Sequence, residues 1–190
     1  MPRSSRFTPA GVPVHVTQRG NFKQAVFAVE HEFVYFIELL NRYSAEFGNR
    51  IIGYCVLTPE RDDGISRMLQ SLNGKFARTM NERLERKGHV WQGRFGSSSM
   101  ADKHYRTALA YVDLNPVRAG LVEDAVNYRW SSAGAHAGVC GYPAFLDRGE
   151  FSRMYTAEDW RELLKVDVGR EDLAALRRAT RLGAVLGGAE

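Results

Sequence analysis

Cysteine is nearly absent from this chain of 190 residues. Cys55 and Cys140 stand far apart, too few for a disulfide framework and without the spacing of a metal cluster. Long hydrophobic runs are missing too. No apolar stretch suffices to cross a bilayer, and the opening MPRSSRFTPAG has no hydrophobic segment of the kind that directs secretion. Both absences point to the cytoplasm. There is no internal repeat and no low-complexity tract. Acidic residues are outnumbered, 22 Asp and Glu against 26 Lys and Arg, for a net charge of +4 and a pI of about 9.2. That balance permits a polyanionic partner, and arginine supplies most of the positive charge, which suits bidentate phosphate contacts. Apolar content of 44% and charged content of 25% are ordinary for a globular protein. The length suits one domain with a helical appendage, divided here as residues 1–138 and 139–190.

The pattern that remains alternates strands and helices. Val12–Thr17 alternates in the manner of a strand and carries His15, a residue packed or hydrogen-bonded in most such settings and a metal ligand in a few. Glu30–Phe47 is an amphipathic helix with Phe33, Phe36, Ile37, Leu40 and Tyr43 on its apolar stripe. Arg50–Leu57 reads as one buried strand, broken by Thr58-Pro59 and followed by the charged turn 60–64. Ile65–Leu84 is a second long helix with Ile65, Met68, Leu69, Leu72, Phe76 and Met80 inward; Gly74 in its middle marks a close approach or simply a weak point. Between Arg67 and Arg94 lie seven basic residues (among them Lys75, Arg78 and Arg83) and two acidic ones, either a solvated face or a nucleic-acid surface. Gly88–Phe95 interleaves Trp91 with Arg94, suited to stacking on unpaired bases, to plugging a core, or to both. A strand follows over Arg94–Met100. Helices are expected at Thr156–Val166, capped by Thr156, and at Arg170–Leu182, whose Arg177, Arg178 and Arg181 form a basic end.

The chain is organised around Tyr105–Gly120. As a helix from Ala101 to Asn115, capped by Asp102, it puts Tyr105, Ala108, Leu109 and Val112 on one apolar face. Tyr111 and Asn115 stack four residues apart, and Pro116 ends the run with Arg118 just beyond. A phenol can act as a covalent nucleophile, and an amide oxygen can take a divalent-ion position. The alternative is that Tyr111 packs against a sheet and Asn115 caps the helix.

Several segments in order resemble the REP-associated tyrosine transposases, of the single-tyrosine, His-hydrophobic-His superfamily. They are HVTQRGN (15–21), TPERDDGISRMLQSL (58–72), GHVWQGRF (88–95), YVDLNPVRAGLV (111–122), YRWSSAGAHAG (128–138) and LRRATRLG (176–183). The ordered set, more than any one piece, carries the resemblance. It implies an α+β fold, a ferredoxin-like antiparallel sheet with helices on one face, followed by C-terminal helices. It also implies that a tyrosine attacks a DNA phosphate while Mg²⁺ or Mn²⁺ polarises it. By the same resemblance Tyr111 is the nucleophile and Asn115 the third metal ligand. Arg19, Lys75, Arg78, Arg83, Trp91, Arg94 and Arg118 would grip single-stranded or hairpin DNA, with the protein a monomer or homodimer. One departure stands out. The family's His-hydrophobic-His strand belongs between RIIGYCVL and TPER, yet Leu57 runs directly into Thr58, and no two histidines stand in an H-x-H pair. The expectation is a sheet that has lost a central strand, or refilled its slot, and a protein that binds DNA with its metal-dependent chemistry impaired. The other readings are an active enzyme with a site rebuilt from His15, His104 or Asp113, an inert remnant, and an RNA-binding module of other ancestry.

Overall fold

The computed structural model describes residues 8–21, 26–54, 56–59, 64–166, 170–182 and 184–186. Strand β1 (Val14–Thr17) leads to helix α1 (Glu30–Glu46), strands β2 (Asn49–Gly53) and β3 (Val56–Pro59), helix α2 (Gly64–Arg83) and strand β4 (Gly96–Ser99). Helices α3 (Asp102–Asp113), α4 (Asn115–Arg118), α5 (Ala133–His136), α6 (Arg148–Met154), α7 (Ala157–Lys165) and α8 (Arg170–Leu182) complete the chain. The strands form one antiparallel sheet in the order β2-β3-β1-β4.

This sheet corrects the reading of RIIGYCVL as a single strand. The run folds back on itself, so that Ile51 pairs with Leu57 and Arg50 with Thr58. Thr58 and Pro59, expected to break a strand, are its second half. Eight apolar-rich residues satisfy one long strand or two short ones equally well, because both bury every position. Backbone pairing decides for two here: a chain lacking β3 would leave the inner edges of β1 and β2 without partners. The charged turn expected at 60–64 lies mostly outside the described residues.

Alternation along the strands divides the core. Val14, Val16 and Ile51 face α1 and α2, where Ile65, Met68, Leu72 and Phe76 are wholly buried. Ile52 faces the other way, into a second cluster with Leu109 and Val112 of α3, Trp160 of α7 and Leu176 of α8. Helices therefore cover both faces, not one. The reason is visible in α3 and α8, whose apolar stripes need a partner surface, and in strands buried at consecutive positions, as with Val14, His15 and Val16. Both sheet edges are covered as well. Asp147 donates its amide to Ile51 O (2.6 Å) beside β2, and Leu186 donates to Ser99 O (2.8 Å) beside β4, which blocks further strand addition.

Helix ends follow local chemistry. Glu32, in the first turn of α1, accepts from the amides of Ala28 and Val29 and from Arg83 of α2. Burial pushes its carboxyl up, but those donors outweigh burial and hold it below the usual carboxylate value. Thr156 caps α7 as expected, accepting from the Asp159 amide at 3.1 Å. Asp102 is not a cap: α3 begins on it, with Ala101 at the capping position. Helix α3 stops at Asp113, and Pro116 sits in the first turn of the short helix α4, where its missing N–H costs nothing. Gly74 marks no close approach, since a Cβ there would meet nothing within 4 Å.

Candidate nucleic-acid interface

Alternation on β1 sends His15 away from the valines and beneath α3 and α8. The ring is 1% exposed. Its Nδ1 lies 2.9 Å from Thr180 Oγ1, and its plane meets that of Tyr111 edge-on at 5.8 Å between centroids. Burial lowers its pKa to about 4, so the ring is neutral at pH 7. The tautomer follows from the neighbours. Thr180 Oγ1 donates its own hydrogen to Leu176 O at 2.8 Å, so toward His15 it accepts. Nδ1 then carries the proton, and Nε2 keeps a lone pair with no partner among the described residues.

Tyr111 projects from the last turn of α3 into the same space. Arg118 lays its guanidinium over the phenol ring, 3.8 Å from the centroid, while its Nη atoms donate to Tyr111 O (3.2 Å) and Asn115 Oδ1 (2.8 Å). Helix α8 supplies Arg177, whose Nε donates to the Tyr111 hydroxyl at 3.4 Å. Arg19 and Arg94 line the same pocket of about 610 Å³, together with Gln18 and Thr180. No carboxylate of the described residues lines it. The pocket is thus an anion-attracting concavity with an aromatic hydroxyl at its wall.

The residues singled out in sequence divide into two groups. Tyr111, Arg19 and Arg94 meet at the pocket, with Arg118 and Asn115 adjoining through Tyr111. Lys75, Arg78 and Arg83 lie along α2, and Arg83 is committed to the buried Glu32. Trp91 is half-buried against Phe36 and Phe76, and its Nε1 donates to Asn73 O at 3.0 Å; it serves as a core plug. Residues from α8 were missed as site components. Arg177 and Thr180 are three apart, so one helix face delivers both, but nothing local in the sequence says which surface that face meets.

The candidate metal ligands fare differently. Asp113 is wholly buried and accepts from Ser132 Oγ (2.5 Å), His136 Nδ1 (2.7 Å) and Trp160 Nε1 (2.9 Å). It is saturated by a structural network and faces away from the pocket. His136 spends its other nitrogen on Ile52 O (2.8 Å) and stacks on Phe151. His104 is not among the pocket's lining residues. Asn115 Oδ1 is occupied by Arg118. Among the described residues no three His, Cys, Asp or Glu side chains converge. Among the described residues the pocket offers a metal ion only His15 Nε2, Gln18 Oε1 and the Tyr111 hydroxyl, set among three arginines, which does not fit Mg²⁺ or Mn²⁺, since these prefer clustered oxygen ligands.

Comparison with known proteins returned one fold. No protein-family profile matches the chain, and no curated protein does. Among solved structures, a REP-associated tyrosine transposase bound to a REP hairpin is similar, with a TM-score of 0.62 at 18% identity. The match covers 76% of this chain and 90% of that one. At that identity the likeness is one of fold. Among the described residues no helix is long and apolar enough to cross a membrane.

Proposed function

We propose that this chain is a DNA-binding protein of the REP-associated tyrosine transposase family, built on a ferredoxin-like sheet, that holds single-stranded or hairpin DNA at the Tyr111 pocket. Residues 1–138 would supply the sheet and most of the pocket, and residues 139–190 a linker and C-terminal helices, of which α7 and α8 pack on the sheet's second face and α8 brings Arg177 and Thr180 to the pocket. The observation that carries the reading is Tyr111 between Arg118 and Arg177, in a pocket shared with Arg19 and Arg94 and lined by no carboxylate of the described residues. Guanidiniums bind phosphate bidentately and stack on aromatic rings, so this arrangement suits a strand whose phosphate lies near the phenol. The fold likeness to a hairpin-bound transposase supports the choice of partner. Lys75 and Arg78 on α2 offer further phosphate contacts.

Tyrosine-mediated strand cleavage through Mg²⁺ or Mn²⁺ is, in this reading, impaired. A phenol is a modest nucleophile, and losing the ion removes several kcal/mol of transition-state stabilisation. The test is a denaturing gel for a covalent protein–DNA adduct, using labelled hairpins with single-stranded extensions, with and without Mn²⁺. No metal-dependent band is expected. A band that needs Mn²⁺ and disappears in Tyr111→Phe would establish an active site that this reading denies.

A further inference from the structure

Two buried acceptors in the Tyr111 pocket have no donor among the described residues. One is His15 Nε2, left bare by the hydrogen-bond chain through Thr180. The other is Gln18 Oε1: the Gln18 amide donates from Nε2 to Gly93 O at 3.1 Å, which fixes its orientation and leaves the oxygen without a partner among the described residues. Both side chains line the pocket. An unsatisfied buried acceptor is costly, and two in one concavity describe the ligand that would relieve them. It must present N–H or O–H groups to His15 and Gln18. It must also carry negative charge toward Arg19, Arg94 and Arg177.

A metal ion would satisfy the acceptors but would meet three guanidiniums and, among the described residues, no carboxylate. An inorganic phosphate would satisfy the arginines, but held as the dianion that guanidiniums favour it keeps a single O–H for two acceptors. A nucleotide does both at once, with its phosphate toward the arginines and an exocyclic amino group toward the acceptors. The pocket volume is of the size ligand sites occupy.

Resting on the DNA-binding reading above, we infer that this pocket takes one unpaired nucleotide of the bound strand and reads its base, with His15 Nε2 and Gln18 Oε1 accepting from an exocyclic amino group. Thymine, which has none, is disfavoured. His15 and Gln18 thereby act as specificity determinants, separate from the arginines that set affinity.

The experiment compares hairpins whose single-stranded extensions carry adenine with hairpins carrying purine, the same base without its amino group. Binding is read by fluorescence anisotropy at fixed salt. The adenine form is expected to bind several-fold to about tenfold more tightly, the worth of one or two hydrogen bonds. That ratio should collapse toward one in Gln18→Met, at a half-buried position lining the pocket, and in His15→Phe. Equal affinity of the wild type for both extensions would overturn the base-reading role while leaving DNA binding intact. A ratio that survives in both variants would place the reading elsewhere and overturn it too. Absence of binding to either extension would overturn the DNA-binding reading itself, and this inference with it.

Discussion

The buried imidazole of His15 makes a prediction that can be worked through in numbers. Replacing it by asparagine (His15→Asn) keeps an N–H near Thr180 but removes the titrating ring. In the folded protein burial brings the ring's pKa from 6.5 to about 4. The unfolded chain titrates normally. Above pH 6.5 both states hold a neutral ring, and the full stabilisation is present. As pH falls below 6.5 the unfolded chain takes up a proton that the folded one refuses, so stability is lost progressively down to about pH 4. Two and a half units correspond to about 3 kcal/mol in total, of which roughly 2.4 kcal/mol falls between about pH 7 and about pH 4.5. Urea unfolding followed by tryptophan fluorescence at those two pH values, on wild type and variant, isolates this share, because the carboxylates are common to both proteins. The wild type should lose about 2 kcal/mol more than the variant, with unchanged m-values. Identical pH dependence in the two proteins would refute the argument and mean that His15 is solvated or paired.

Other parts of the fold carry predictions of their own. Asp113→Ala leaves His136 Nδ1, Trp160 Nε1 and Ser132 Oγ without their acceptor, so denaturant unfolding should report a loss of about 3–5 kcal/mol; a loss under about 1 kcal/mol would contradict the network. Two glycine substitutions should act in opposite directions in thermal melts. At Gly96 a Cβ would stand 2.8 Å from Thr17 Oγ1 and 3.1 Å from the Thr180 carbonyl, so Gly96→Ala should cost about 1–3 kcal/mol. At Gly74 the added methyl meets nothing, and Gly74→Ala should stabilise α2 by up to about 1 kcal/mol.

What the sequence made legible were elements with a strong period. The inward faces of α2 and α3 could be named residue by residue, because Ile65, Leu72, Phe76, Leu109 and Val112 recur at helical spacing and are buried as that spacing requires. The division of RIIGYCVL into two strands was not legible, since a run buried on both sides has no alternation to betray its turn. Gly53 was the one local clue: a Cβ there would stand 2.8 Å from Leu109 Cδ1, so glycine lets α3 approach the end of β2. For the site, Tyr111, Arg19 and Arg94 were within reach of motif and composition. The contributions of α8 were not, because Thr180 meets His15 across 165 positions and Arg177 meets Tyr111 across 66. Asp113 misled for a related reason. A carboxylate two residues from a tyrosine looks available in sequence, and only the packing of α5 and α7 reveals the donors that consume it.

The central claim is that the Tyr111 pocket binds the phosphates of a single strand through its arginines, and a salt titration tests it most directly. Anisotropy isotherms of a hairpin with a single-stranded extension would be collected at several salt concentrations, for wild type and Arg177→Ala. Each phosphate neutralised on a single strand contributes about −0.7 to the log–log slope, so the slope should be negative and become shallower by up to about 0.7 when Arg177 is removed. Binding that ignores salt, or a slope and affinity unmoved in Arg177→Ala, would contradict the account and place any nucleic-acid surface away from Tyr111.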